Sequence, residues 1–327
     1  MKTVRFYSTG GPEVLCYEDV PTPQPGPGEV QIRVDAVGVN FADILRRRGD
    51  EYPEKSPVPF TLGGEVAGVI TGIGNGVTHL SEGDAVYATT RVGGYAQYVV
   101  APAASAIPLP PGITAVQATS LVVQGLTALL ALRHAGRLAA GESVLVEAAA
   151  GGVGAFAVQL AKLLGAGQVI AAASTFEKRK FAESIGADSS IDYTQPDWAA
   201  QVMELTNGKG VDIVLEMSGG ETVGRALDAL APFGRMVVYG QASGESTAVN
   251  PQRLTVLNQS ITGFYIGGYF QHETLISKAL NEIVDYVASG RLTLHVGVRL
   301  PLSAAIEAHK LLEERQTTGK VVLEPWA

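Results

Sequence analysis

Residues 143–164, SVLVEAAAGGVGAFAVQLAKLL, constrain the fold more than any other stretch of the chain. An apolar run passes through small residues, Ala148 to Gly154, directly into an amphipathic helical pattern. Strand, tight turn and helix in that order open a parallel sheet, because a parallel neighbour is reached only by crossing over a face of the sheet. The pattern continues: QVIAAAS, SSIDY, VDIVLEMSG, RMVVYG and SITGFY read as strands with helices between them. Such alternation predicts an α/β fold whose doubly wound parallel sheet is covered on both faces.

The loop of this first unit suits a dinucleotide. Small residues let the backbone approach a pyrophosphate, and free amides at the helix start favour its negative charge. Gly151, Gly152 and Val153 are therefore candidate cofactor contacts. The first glycine of the usual fingerprint is replaced by alanine, so a ligand-free strand-to-helix turn competes with this reading. An NAD-selective site expects an acidic residue about 20 positions on. Here AAASTFEKRK places Ser174 at that point, with Lys178, Arg179 and Lys180 behind it. The missing carboxylate and the nearby cations point to NADPH, whereas three cations on an exposed helical turn also fit a solvated face.

The first third of the chain has a different texture. EVQIRVDAVGV, EVAGVITGIG, DAVYATT and GYAQYVVAP read as strands, punctuated by PQPGPGEV and GNGV, which is an all-β pattern. A long helical stretch follows from Thr114, and after Tyr265 come a helix, a strand LHVGVRL, a helix AAIEAHKLLEER and a strand KVVLE. These closing elements read as a return to the first domain.

Composition narrows the partners. With 327 residues, 46% hydrophobic and 17% charged, the chain has enough apolar material for a sizeable core. A formal net charge of -8 argues against nucleic acid or an anionic membrane held by bulk electrostatics. The single cysteine, Cys16, forms no internal disulfide, and a cytoplasmic location is the expectation. No uninterrupted apolar run reads as a bilayer span, and the amino terminus MKTVRFYSTGG lacks the apolar segment of a signal peptide.

GVNFADILRRRG at 38–49, GGEVAGVITGIG at 63–74, GLTALLAL at 125–132 and EAAAGGVGAFAVQLAKLLGA at 147–166 together resemble the medium-chain dehydrogenase/reductase superfamily. Within it the chain is similar to the zinc-free NADPH:quinone oxidoreductases, the zeta-crystallin-like branch. The resemblance implies a GroES-like catalytic β domain from residues 1–122 and 266–327, a Rossmann NADPH-binding domain from 123–265, and a cofactor cleft at their junction. Zinc relatives carry a cysteine where this chain has Val39 or Asn40 and a histidine where it has Gly64. Neither ligand is present, and Glu65 alone cannot make a tetrahedral site.

Without a metal, the coherent chemistry is delivery of reducing equivalents from the nicotinamide to a conjugated acceptor, a quinone or an α,β-unsaturated carbonyl. Delocalisation in such an acceptor lets hydrogen-bond donors replace a Lewis acid. By resemblance Asn40 and Tyr52 line the acceptor pocket, with Tyr52 a candidate donor to the reduced product and, equally, a tyrosine packed at the loop edge of DEYPEK. Asp43 reads as a brace or helix cap. The resemblance further implies that Lys178, Tyr193 and Arg315 hold the 2′-phosphate, although Arg315 also suits a helix-end cation. Thr127, Ser174, Ser218, Gly240 and Gln241 follow as cofactor contacts, with Phe264 and Tyr265 at the end of an edge strand. That edge is open either to a twin strand in a homodimer or to a covering loop. An NADPH-dependent alkenal or enone reductase differs only in its acceptor pocket. A non-catalytic NADPH-binding protein with a structural or sensory role is the alternative of another class.

Overall fold

The computed structural model describes residues 1–90 and 92–327, which divide into two compact units: Met1–Val123 with Leu294–Ala327, and Gln124–Thr293. The first unit is built around the strand Glu29–Val39. One edge of that strand pairs antiparallel with Glu65–Ile73. Its other edge is shared, Tyr98–Pro102 pairing with the amino-terminal half and Lys320–Glu324 with the carboxyl-terminal half. Being paired on both sides, the strand is apolar along most of its length, and Val30, Ile32, Val34 and Val37 are fully buried. The register Val321 to Val39 and Val322 to Gly38 carries Lys320 opposite Asn40, 280 residues away in sequence. A separate three-stranded sheet of Lys2–Phe6, Cys16–Asp19 and Phe60–Thr61 packs Phe6 and Phe60 into the same core.

The second unit is a six-stranded parallel sheet. Its order in space is Ser189–Ile191, Gln168–Ala172, Ser143–Val146, Val211–Glu216, Leu230–Val238 and Ser260–Gly263. The chain thus winds outward twice from Ser143–Val146, and the direction reverses between that strand and Val211–Glu216. Ligands of open α/β sheets bind outside the carboxyl ends of the strands at such a reversal. Leu145, Ile170, Val214 and the fully buried Trp198 form the core beneath.

Two expectations are corrected. The helix Glu273–Ala288 groups with the second unit, so the boundary falls at Leu294 rather than residue 266. Ile283 is fully buried within 3.2 Å of the place a Cβ on Gly125 would take, a burial that contributes about 1.5–3 kcal/mol. Glu282 on the same helix accepts two hydrogen bonds from Arg133 at 2.6 and 2.7 Å. The strands Val296–Pro301 and Lys320–Glu324 lie in the first unit, the latter paired with Glu29–Val39. The second correction concerns residues 115–135, a single 21-residue helical segment long and apolar enough to span a bilayer by length and composition. In its most apolar window 78% is buried inside the protein, as in the core helix of a globular fold.

Candidate active site

In the second unit the phosphate loop leaves the strand Ser143–Val146 and turns through Ala148, whose φ of 47° is in the left-handed region. Gly151 then starts the helix Gly152–Leu163. The first amides of that helix have no intrahelical acceptor and form the positive end of its dipole. The glycines let the loop pack closely: a Cβ on Gly152 would overlap the Gln124 amide. One on Gly154 would overlap the Ala148 carbonyl and sit 2.7 Å from the Ala149 Cα. Residues 151–154 thus present a tight turn and the amides of a helix start, an arrangement that fits a pyrophosphate.

The structure gathers most of the sequence candidates at the carboxyl edge of the same sheet. Gly151, Gly152 and Val153 follow the first strand, Ser174 the second, Tyr193 the third and Ser218 the fourth. Gly240 and Gln241 follow the fifth, Phe264 and Tyr265 the sixth. Phe264 is buried and stacks on Tyr269 at 5.1 Å. Thr127 is buried in the helix Leu126–Leu130. Lys178 sits in the helix Phe176–Ser184, its backbone N–H donating to the Thr175 hydroxyl. Of its cationic neighbours, Arg179 pairs with Asp192 at 2.9 Å and Lys180 with Glu183 at 2.7 Å. Arg315 belongs to the first unit, exposed just beyond the helix Ala305–Glu313, with a φ of 57°.

Two carboxylates that the sequence reading did not single out lie at the sheet reversal. Glu147 and Glu216 stand side by side at the ends of adjacent strands, both fully buried. Glu147 accepts hydrogen bonds from the Met217 N–H at 3.3 Å and the Ser218 hydroxyl at 2.8 Å, and Glu216 accepts from the Gly219 N–H at 2.6 Å. The remaining oxygens, Oε1 of Glu147 and Oε2 of Glu216, have no partner. Burial pushes both carboxyls above the usual range, and the charge of Glu216 pushes Glu147 further. The signal was present in the sequence, since VLVE and IVLE each end an apolar strand on a glutamate.

In the first unit Asn40 precedes the helix Phe41–Arg48. Asp43 braces that turn, accepting from the backbone N–H of Asn40 at 2.9 Å and of Gly63 at 3.2 Å. Burial raises the Asp43 carboxyl, and those two N–H groups oppose the shift. The Asn40 side chain meets a fully buried ion pair: Lys320 Nζ donates to Asn40 Oδ1 at 2.9 Å and to Glu65 Oε2 at 2.8 Å. Glu65 Oε1 accepts from the backbone N–H groups of Val122 and Val123 at 3.2 and 2.9 Å. Gly38 makes room for the lysine, because a Cβ there would come within 2.5 Å of Lys320 Cε. Tyr52 is half-buried, and the Arg46 guanidinium lies over its ring at 4.5 Å. Arg46 is fixed in turn by Glu54 and Ser56.

A Zinc-binding dehydrogenase family model matches residues 152–285, and an Alcohol dehydrogenase GroES-like domain matches residues 26–111. A quinone oxidoreductase of Pseudomonas aeruginosa is 39% identical over 329 residues, 99% of each chain. A 2-haloacrylate reductase of Burkholderia sp is 35% identical over 328 residues, 98% of each chain. The crystal structure of Escherichia coli quinone oxidoreductase complexed with NADPH superposes with a TM-score of 0.93 at 35% identity, covering 99% of this chain and 100% of that one. A GroES-like unit and a Rossmann unit of this kind define a medium-chain dehydrogenase/reductase. With full-length identities at this level, the chain belongs to the quinone oxidoreductase family of that superfamily.

The description of the first matched model raises the question of zinc, and the residues do not fit it. Lys320, a cation without a free lone pair, fills the space beside Asn40 and Glu65, and the chain's single thiol, Cys16, is exposed on the strand Cys16–Asp19. Among the described residues no three His, Cys, Asp or Glu side chains group as a metal site.

Proposed function

We propose that the chain is an NADPH-dependent quinone oxidoreductase that works without a metal. The observation that carries this reading is the tight glycine turn into a helix start at the sheet reversal, in a chain similar over its whole length to quinone oxidoreductases. NADPH supplies the hydride when bound. Gly151, Gly152 and Val153 hold the pyrophosphate with backbone amides, and the lack of a carboxylate at Ser174 leaves room for a 2′-phosphate that the Lys178 ammonium attracts and the Tyr193 hydroxyl hydrogen-bonds. Thr127, Ser218, Gly240, Gln241, Phe264 and Tyr265 orient the remainder of the dinucleotide. Asn40 and Tyr52 face the acceptor, where amide and phenol donors stabilise charge arriving on its oxygen.

Reduction of an α,β-unsaturated carbonyl is the second reading, favoured by the similarity to a 2-haloacrylate reductase. The strand Ser260–Gly263 ends the parallel sheet, and this open edge supports a homodimer in which it pairs with its copy, which light scattering on the eluted protein tests. For the activity, NADPH and NADH oxidation is followed with 1,4-benzoquinone and separately with an enal. Quinone-dependent NADPH turnover is the expected result. Turnover with the enal alone selects the second reading, and turnover with neither refutes both.

A further inference from the structure

We propose that Lys320 is a positioning residue for acceptor reduction: it locks the Asn40 side-chain amide so that an N–H, not the carbonyl, is offered to the acceptor's oxygen. The inference rests on the functional reading above. A lysine ammonium has three donors and no acceptor, so the Asn40 atom 2.9 Å from Nζ is the carbonyl oxygen, which fixes the flip of the amide. One Asn40 Nδ2 hydrogen then points to Glu65 Oε2 at 3.4 Å. The other has no acceptor among the described residues, on a side chain that is only half-buried.

Glu65 closes the arrangement. Its Oε2 receives Lys320 and Asn40, and its Oε1 is taken by the Val122 and Val123 amides, so the carboxylate holds the ammonium in one place. The Asn40 backbone is pinned separately by Asp43, and Gly38 admits the lysine stem. Three strands and a helix start thus hold one amide in one orientation. A flipped Asn40 would turn its carbonyl toward the acceptor's oxygen, so the rate depends on a lysine that need not touch the substrate.

The test is a double-mutant cycle on the full chain, using NADPH with 1,4-benzoquinone and with an enal, and NADPH affinity by fluorescence titration. Lys320→Met is expected to lower kcat/KM for the acceptor by about a hundredfold, at the lower end of the range for loss of one oxyanion donor. Its NADPH Kd should stay at the wild-type value. Asn40→Ala should lose a similar factor, and combining the two should cost little more than either alone. Because Lys320→Met leaves a buried carboxylate unpaired, the cycle is repeated with Lys320→Met/Glu65→Gln, which removes both charges. Losses that multiply, an unchanged kcat/KM, or a parallel loss of NADPH affinity would each overturn the positioning role while leaving the functional reading intact. A wild-type protein inactive with both acceptors overturns that reading, and this inference with it.

Discussion

Replacing Glu147 by glutamine should stabilise the protein, and by an amount that grows with pH. The wild-type carboxyl is fully buried, one oxygen has no partner, and Glu216 stands beside it. Its pKa rises from 4.5 in the unfolded chain to about 8 in the folded one. The folded state therefore binds this proton more tightly than the unfolded state does. The stability this provides is complete below pH 4.5 and is lost as pH rises through about 8. At pH 7 some 2.5 pH units of that window have been crossed, and at 1.36 kcal/mol per unit the loss is about 3 kcal/mol. Glutamine keeps an acceptor for the Met217 N–H and the Ser218 hydroxyl and places an amide donor where Oε1 had no partner. Urea denaturation of wild type and Glu147→Gln from pH 5 to 8.5 measures the difference. Near-equality at pH 5 widening to about 3 kcal/mol in favour of the variant at neutral pH is expected. A difference independent of pH, or a variant less stable at pH 8, would refute the burial argument.

Gly154→Ala should weaken NADPH binding at least tenfold by fluorescence titration, because its Cβ has no space beside Ala148 and Ala149; unchanged affinity would remove the loop from the cofactor site. Lys178→Ala should raise the NADPH Kd about tenfold and leave that for NADH alone, consistent with loss of one charge-assisted contact to the 2′-phosphate. Equal effects on both cofactors would put Lys178 outside the phosphate site. Tyr52→Phe should lower kcat with 1,4-benzoquinone about tenfold or more without changing NADPH affinity. If kcat holds, Tyr52 is a ring packed under Arg46 and not a donor.

What the sequence made legible is what is local. The strand, small-residue loop and helix at 143–164 announce themselves through spacing, and each later strand falls where its apolar run lies. Which sheet a helix covers is not local: Glu273–Ala288 follows the last parallel strand and precedes the returning strands, so its pattern suits either unit. Only the packing of Ile283 and the Arg133–Glu282 pair assign it. The same holds for Lys320. In TTGKVVLE it looks like a cation at a strand start, and only the register with Glu29–Val39 turns it toward Asn40.

The two buried charge clusters differ in a way that bears on function. The Lys320–Glu65 pair joins opposite charges, and four hydrogen bonds satisfy its carboxylate, so it fixes geometry. The Glu147–Glu216 pair leaves two oxygens unmet, and burial beside Glu216 favours the protonated form of Glu147, at the point where the sheet reverses and a dinucleotide would lie. A buried, underbonded carboxyl pair is a costly way to hold a strand end. Its N–H and O–H partners all come from Met217 to Gly219, so these hydrogen bonds fix the turn after Val211–Glu216 that carries Ser218. In this chain a fully bonded ion pair lies beneath Asn40, and an underbonded carboxyl pair beneath Ser218.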